Sequence, residues 1–370
     1  MQRKKISVIA VAVALPCALA CAQSNVTLFG VADITLSRAS QGGATKTYLT
    51  QGGLSASRLG VQGTEDLGGG YGAGVWLEGS VNLDDGTVGD RESMIWNRRS
   101  TVDLTTPVGA LRLGRDYMPD SWNHVVFDPF GTSSGAGVGT NITGVFGANV
   151  RYTVPRSSRS ISYLYGMAPN ADSHGVRSLG FYAQVSYAFP DTSAKFDVGR
   201  YAGARVGYRT VNWNVAMAYA KSTGTLPFGP PSLVNYKAFN VGASYKFDSI
   251  GIMAKAGFND SDHPANPKNT WWGVGAVIPV GPTGYVPVSF NRVRMDKPGK
   301  PGAMQLAVGY VYNLSKRTAI YVTQSHITNQ NGGTWSFVGN FTTAGNPGFF
   351  GTLAGKGSGN ATDIGIRHSF

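Results

Sequence analysis

Apolar and polar residues alternate along many short stretches of this chain. In the stretch 360–370, Ile364, Ile366 and Phe370 fall on one face and Asp363 falls on the other. A period of two is the pattern of a β-strand whose two faces meet different surroundings. Repeated between turn residues, the pattern predicts sixteen strands, at 25–36, 57–65, 71–82, 96–104, 110–115, 157–168, 179–189, 200–208, 213–221, 237–247, 250–258, 270–279, 285–294, 303–313, 317–328 and 360–370.

The links between these strands alternate in length. Short links at 209–212, 248–249 and 314–316 are interleaved with long ones at 222–236 and 329–359. An even number of strands with short turns at one end and long loops at the other is typical of a transmembrane barrel. A closed barrel also pairs its last strand with its first, whereas the alternative for the last stretch is an ordinary edge strand. The pattern therefore predicts an all-β fold, a 16-stranded antiparallel barrel with short periplasmic turns and long external loops.

The composition favours the same interpretation. Only 14% of the residues are charged, 11% are aromatic, and 51 are glycine, whereas an average soluble domain is about 25% charged. After the first residues there is no apolar run of the length that a transmembrane helix needs. Low charge without an apolar helical span indicates strands that turn every second side chain towards lipid.

Residues 1–22 have the features of a secretory signal peptide: a basic start, a short apolar run and a small-residue cleavage site before Gln23. The alternative is a lipoprotein acylated at Cys21. Cleavage leaves 23–370 as a single barrel domain. Both cysteines, Cys17 and Cys21, lie in the leader, so we expect no disulfide and no cysteine metal site in the exported chain.

The charge narrows the choice of partners. The formal net charge is +12, and removing the leader with its three basic residues and no acid leaves +9. The chain is exported and contains no nucleic-acid-binding motif, so nucleic acid is not an expected partner. The positive excess instead favours anions in the lumen or acidic lipopolysaccharide outside.

One stretch breaks the rhythm of the strands. From 116 to 156 the chain carries Pro119, Pro129 and a Gly/Ser/Thr-rich run at 131–140. A loop of this length inside a compact domain is usually functional.

Several stretches together resemble the Gram-negative general porins, most closely the betaproteobacterial type. They are 25–36, Ser57–Gly68, Asn97-Arg98-Arg99, Gly109–Arg115 and Gly365–Phe370. The resemblance implies a homotrimer in the outer membrane and a third loop folded into the lumen as the constriction. It also implies that the barrel-assembly machinery reads the ending at Phe370.

The resemblance further implies a charged narrowing, because family members set acids of the third loop against arginines of the opposite wall. Such a transverse field orders water and ions and penalises apolar solutes. The loop acids are Asp116, Asp120 and Asp128. The alternation along the predicted strands turns Arg58, Arg99 and Arg112 inward, which makes them the wall arginines, and Arg38 lies at the mouth. The alternative is that each is an ordinary solvated charge.

We therefore expect passive diffusion of small hydrophilic solutes and ions, with an anion preference. A substrate-specific channel and an outer-membrane hydrolase are the alternatives. Gly131, Ser133 and Gly135 match a nucleophile elbow, but the strand and helix that such an elbow needs are not predicted around them. Asp172-Ser173-His174 are adjacent in sequence, whereas catalytic triads assemble in space. No histidine pair has metal-ligand spacing, so we expect no enzyme, no cofactor and no metal.

Overall fold

The computed structural model describes residues 25–89, 95–131, 135–146, 150–151, 155–167, 179–191, 199–225, 233–264, 267–337 and 357–370. The predicted signal peptide with its lipoprotein alternative, Ser133 of the elbow-like motif and the run Asp172–His174 lie outside these ranges.

The described chain is built almost entirely from strands. They are β1 Asn25–Gln41, β2 Ala44–Gln51, β3 Arg58–Gly68, β4 Tyr71–Ser80, β5 Arg99–Thr106, β6 Gly109–Tyr117, β7 Val145–Phe146, β8 Val150–Arg151, β9 Arg156–Tyr165, β10 Gly180–Ala188, β11 Tyr201–Arg209, β12 Trp213–Thr225, β13 Leu233–Phe247, β14 Ile250–Ser261, β15 Asn269–Val280, β16 Gly284–Met295, β17 Gly302–Asn313, β18 Thr318–Gln330 and β19 Gly359–Ser369. Helices α1 Pro119–Val126 and α2 Thr140–Thr143 lie between β6 and β9. Within the described ranges, neither helix is long and apolar enough to cross a membrane.

The strands close into an antiparallel barrel. β19 pairs with β1 from Val31↔Ser369 to Gln41↔Gly359, and β9 pairs with β6, so the intervening segment leaves the sheet. The predicted sixteen-stranded barrel is confirmed, with β2 and β3 sharing one position beside β1. We expected no strand between 36 and 57, but β2 lies there. Its residues, ATKTYLTQ, are mostly polar on both faces, so it lacks the alternation that marks the other strands.

The two faces of the barrel differ in polarity as the alternation predicts. On β1, the outward side chains of Val26 and Leu28 are 72% and 62% exposed, whereas the inward Asp33 and Thr35 are fully buried. The inward face of the other strands likewise carries buried polar side chains such as Gln305. An apolar exterior around a polar interior is the arrangement of a transmembrane barrel.

The terminal residue takes part in the closure. The amide of Phe370 donates to the carbonyl of Gly30, and the amide of Gly30 donates to the carbonyl of Phe370, both at 3.1 Å. The ring of Phe370 covers Gly30 so closely that a Cβ on this glycine would overlap it. A side chain at position 30 would therefore displace the last aromatic residue of the chain.

The segment between β6 and β9 crosses the inside of the barrel. Asn123 Nδ2 donates to Asn240 Oδ1 on β13 at 2.8 Å. Further along, the amide of Ala136 donates to Asp363 Oδ2 on β19 at 2.7 Å, and Gln305 Nε2 on β17 donates to the Ala136 carbonyl at 2.9 Å. These contacts reach several walls of the barrel, so the third loop is folded into the lumen, as predicted.

Candidate functional site

An ionic ladder runs along the inner face of β5 and β6. Asp103 accepts from Arg99 Nη2 at 2.9 Å and from Arg112 Nε at 2.7 Å, and Arg112 Nη1 donates to Asp116 Oδ2 at 2.5 Å. Asp103 and Arg112 are direct partners in the strand register, and all four side chains are buried. Because backbone pairing sets these positions, the charges are fixed in place before any solute arrives.

A second ionic group lies beside this ladder, centred on Glu78 of β4. Glu78 Oε1 lies 2.5 Å from Arg98 Nε and 3.8 Å from Arg58 Nε. The Arg99 guanidinium sits 4.4 Å from the ring centre of Trp76, a cation–π contact that orients it. The two groups thus form one charged surface on the wall.

Arg156 completes this surface at the outer end of β9. Its guanidinium lies 3.9 Å from the ring centre of Tyr117 and interacts electrostatically with Glu78. Within the part of the chain that the structure describes, Arg98 Nη2 and Arg156 Nε and Nη2 are buried N–H donors without a hydrogen-bond partner. We call the set of five arginines and three acids the arginine wall; its members are Arg58, Arg98, Arg99, Arg112, Arg156, Glu78, Asp103 and Asp116.

The structure brings some of the predicted site residues together and separates others. Arg58, Arg99 and Arg112 belong to the arginine wall, and so does Asp116, which is the next-to-last residue of β6. Arg38 is exposed and shares the outward face of β1 with Leu36, opposite to the buried inward side chains of that strand.

The other two predicted acids contact a different wall. Asp120 lies in the first turn of α1 and accepts a hydrogen bond from the Tyr201 hydroxyl on β11 at 2.5 Å. Asp128 follows α1 and pairs with Lys255 on β14 at 2.7 Å. These acids therefore attach the inserted loop to β11 and β14.

Burial changes the protonation of two groups on this loop. It raises the pKa of Asp120 to about 6, and the hydrogen bond from Tyr201 only partly opposes the shift. Burial lowers the pKa of His124 to about 3, with a further contribution from the charge of Lys255. His124 is therefore neutral at physiological pH, whereas Asp120 titrates close to it.

The inserted loop is also seated by packing against wall glycines. The Phe127 ring lies over Gly242 of β13, and Pro129 lies over Gly275 of β15. A Cβ at either glycine would overlap the loop side chain. The loop is thus fitted to the wall by shape as well as by charge.

Several site residues escape the sequence pattern. Arg98 lies in the predicted strand 96–104, where the alternation turns it away from the face of Arg99, but in the structure it precedes β5 and pairs with Glu78. Arg156 lies before the predicted strand 157–168, so the alternation assigns it no face. Lys255 is an inward residue of β14 whose partner is 127 positions away. The sequence pattern could have identified Glu78 and Asp103, because the alternation places both on inward faces, with arginines on the neighbouring strands.

Comparison with known proteins gives relatives along the whole chain. A family model described as Gram-negative porin matches residues 7–332. The outer membrane porin protein 32 of Delftia acidovorans is 33% identical over 387 residues, covering 99% of this chain and 100% of that protein. An outer membrane porin protein of Bordetella pertussis is 26% identical over 318 residues, covering 76% of this chain and 79% of that protein.

Two solved structures of outer-membrane proteins are also similar to this chain. The anion-selective porin from Comamonas acidovorans superimposes with a TM-score of 0.76 at 30% identity, covering 94% of this chain and 100% of that one. The outer-membrane protein OmpT of Vibrio cholerae has the same fold, with a TM-score of 0.65 at 15% identity over 94% of this chain and 98% of that one.

Proposed function

The chain belongs to the Gram-negative porin family, and from this premise we propose that it forms a passive, anion-preferring pore in the outer membrane. Small hydrophilic solutes and ions diffuse through the water-filled lumen without a reaction. The family's relatives are named as porins, which supports a channel without catalytic activity, cofactor or metal.

The observation that carries the anion preference is the charge of the arginine wall. Its five arginines face only three acids, and three guanidinium N–H donors on Arg98 and Arg156 are left without protein partners. A fixed positive excess in a narrow aqueous passage with low-dielectric walls raises the local concentration of anions. The anion-selective Comamonas structure, at 30% identity, supports the same preference.

We assign the constriction to the loop 116–156 and the arginine wall together. Arg58, Arg99 and Arg112 supply wall charge in this proposal, and Asp116 balances part of it. Asp120 and Asp128 serve mainly to hold the loop across the lumen. Arg38 is assigned to the outer surface instead, because it shares a face with the lipid-exposed residues of β1.

The distribution of exposed aromatic residues supports a homotrimer. Along the described strands, β1 to β6 expose aliphatic side chains and a single aromatic one, Tyr71, whereas β9 to β17 expose twelve. Aromatic side chains mark strands that meet the membrane–water interfaces. We therefore propose that β1 to β6 face neighbouring subunits, while lipid and lipopolysaccharide contact the remaining strands.

Recognition of Phe370 by the barrel-assembly machinery and removal of residues 1–22 complete the proposed route to the outer membrane.

Single-channel recording of the refolded protein in a planar bilayer tests the pore. The proposal predicts large ohmic steps that appear in groups of three. Folded protein that inserts without conducting would contradict an open pore, and isolated single steps would contradict the trimer.

A further inference from the structure

The strands beside β1 leave a gap that a short inserted segment fills. β2 pairs with β1 from Ile34 to Gln41, and β3 pairs with it from Asn25 to Val31, so neither strand pairs with Asp33. Residues 52–57 connect β2 to β3 across this gap and turn into the barrel. We call residues 52–57 the lumen segment; it is a second inward excursion of the chain, separate from the loop 116–156.

Asp33 of β1 holds the lumen segment along its length. The carbonyl of Asp33 accepts from the amide of Gly52 at 3.0 Å, and its amide donates to Ser57 Oγ at 3.0 Å. The carboxylate holds the middle, because Oδ2 accepts from the amides of Leu54 at 3.0 Å and Ser55 at 2.6 Å. Asp33 is fully buried, so water does not compete for these hydrogen bonds.

The other carboxylate oxygen of Asp33 is held by β18. The Tyr321 hydroxyl donates to Asp33 Oδ1 at 2.5 Å and lies 2.5 Å from Thr35 Oγ1. Thr35 Oγ1 accepts from the amide of Gly53 at 3.1 Å. Leu54 packs against a cluster of inward residues on β17 and β18 that includes Tyr321. A Cβ at Gly53 would overlap the Tyr321 hydroxyl, so the segment is closely fitted to the wall.

The lumen segment lies between the inserted loop and the arginine wall. On one side, the carbonyl of Gly53 approaches Gly135 of the inserted loop so closely that a Cβ on Gly135 would overlap it. On the other side, the carbonyl of Ala56 accepts from Arg58 Nη1 at 3.0 Å. Arg58 Nε lies 3.8 Å from Glu78 Oε1, which is longer than a hydrogen bond. The segment therefore holds Arg58 back from a closer pairing with Glu78.

We propose that Asp33 is a positioning residue for ion selection. By holding the lumen segment, it keeps the Arg58 guanidinium at the Ala56 carbonyl and away from Glu78. The charge of Arg58 then remains available to permeating anions. Functional side chains keep their geometry when hydrogen bonds from a supporting layer of residues lock them. This inference rests on the proposed anion-preferring pore.

The proposal predicts the opposite sign to charge alone. Asp33 is an acid of the inner face, so by charge alone its removal strengthens the anion preference. Because Asp33 acts through the lumen segment, its truncation instead frees Arg58 to close on Glu78, which weakens the preference. Arg367 of β19 is the register partner of Asp33. It loses the nearby carboxylate equally in every neutral substitution, so a comparison of two such substitutions cancels its effect.

Asp33→Asn and Asp33→Ala separate position from charge, because both remove the same carboxylate. The side-chain oxygen in Asp33→Asn still accepts from the amides of Leu54 and Ser55, whereas Asp33→Ala has no acceptor there. The chloride-to-potassium permeability ratio is measured from the reversal potential of the refolded full-length protein. It is expected to be about twofold lower in Asp33→Ala than in Asp33→Asn, the size expected for one charge about 10 Å from the permeating ion in water. Equal ratios in the two variants would overturn the proposal.

A second pair of variants tests the same link if Asp33→Ala does not fold. Tyr321→Phe removes the hydroxyl that holds Asp33 and changes no charge, so the permeability ratio is expected to fall below that of the parent. Tyr285→Phe is the matched control. Tyr285 packs on the same cluster as Leu54, but its hydroxyl makes no hydrogen bond within the part of the chain that the structure describes. The same ratio in Tyr321→Phe and Tyr285→Phe would contradict the positioning role.

Hydrogen exchange separates this proposal from the proposed function, because it does not require conduction. The amides of the lumen segment are expected to exchange faster in Asp33→Ala than in Asp33→Asn. Equal exchange would overturn the role of Asp33 and leave the pore intact. A parent protein that does not conduct, or that prefers potassium, would refute the proposed function, while the exchange result still decides whether Asp33 holds the segment.

Discussion

Lys255 Nζ lies 2.7 Å from Asp128 Oδ2, and both side chains are buried between the inserted loop and β14. The same ammonium group donates to the carbonyl of His124 at 3.1 Å, so one lysine holds the end of α1 and the turn after it. Asp128 in turn accepts from the amides of Phe130 and Gly139, both at 2.9 Å. This ion pair therefore ties the end of α1 and the turn after it to β14, beside the other contacts that hold the loop across the lumen.

Lys255→Gln is expected to release the loop, because removal of one partner leaves a buried carboxylate without its counter-charge. Breaking a buried pair costs about 3–5 kcal/mol. We expect faster proteolysis within 116–156 and noisier single-channel currents, while Lys246→Gln, on the exposed end of β13, behaves as the parent. Identical proteolysis of the two variants would show that the Lys255–Asp128 ion pair does not hold the loop in place.

Arg156→Gln is expected to weaken the anion preference. This substitution removes two of the partnerless guanidinium donors from the arginine wall, so the reversal potential in a salt gradient should move towards the cation-selective side. Arg159→Gln is the matched control, because Arg159 lies on the same strand but is exposed and pairs with Asp191 at 3.4 Å. Equal shifts in both variants would mean that net charge, not the wall, sets selectivity.

The pKa of about 6 at Asp120 predicts a pH-dependent selectivity. Below that pH the carboxyl is neutral, and above it the loop carries an additional negative charge in the lumen. The anion preference should therefore be stronger at about pH 5 than at about pH 7.5, and Asp120→Asn should abolish the difference. An unchanged pH dependence in Asp120→Asn would assign the titration to another group.

The same shift affects stability with a defined sign. The folded protein holds the Asp120 proton up to a higher pH than the unfolded chain, whose ordinary pKa is 3.8. The contribution of this group to stability is therefore complete below about 3.8 and is lost as the pH rises through about 6. Urea unfolding at several pH values across this range should show a free energy of unfolding that falls as the pH rises in the parent, and a weaker dependence on pH in Asp120→Asn.

Gly242→Ala tests the fit between the loop and the wall. The added Cβ would overlap the Phe127 ring, and such overpacking costs about 1–3 kcal/mol. Gly251→Ala on the adjacent strand is the control, because its Cβ would meet nothing within 4 Å. The prediction is a lower unfolding midpoint for Gly242→Ala alone; equal midpoints would show that Phe127 does not seat the loop.

The barrel was predictable because half of its side chains face lipid. That requirement forces a period of two on every membrane-spanning strand, as on β1, where the exposed Leu36 alternates with the buried Thr35 and Ser37. Beyond the membrane surface this requirement no longer applies, which is why the sequence pattern did not predict β2. The same alternation places Arg38 with Val26 and Leu36, so the outward position of this arginine could have been deduced from the pattern.

The site was less predictable because its contacts join distant parts of the chain. Arg58, Arg99 and Arg112 lie on strands, where parity assigns them to the inner face. Arg98 and Arg156 lie at the ends of loops, where parity no longer holds. The partners of Asp120 and Asp128 depend on how the loop crosses the lumen, which no local pattern encodes.

The reversal potential of the unmodified pore in a potassium chloride gradient tests the central claim most directly, because the two ions have nearly equal mobility in water. The positive excess on the arginine wall predicts a potential whose sign shows that chloride carries more current than potassium. A potential of the opposite sign would show that the acids of the lumen outweigh the arginines, and would contradict the account.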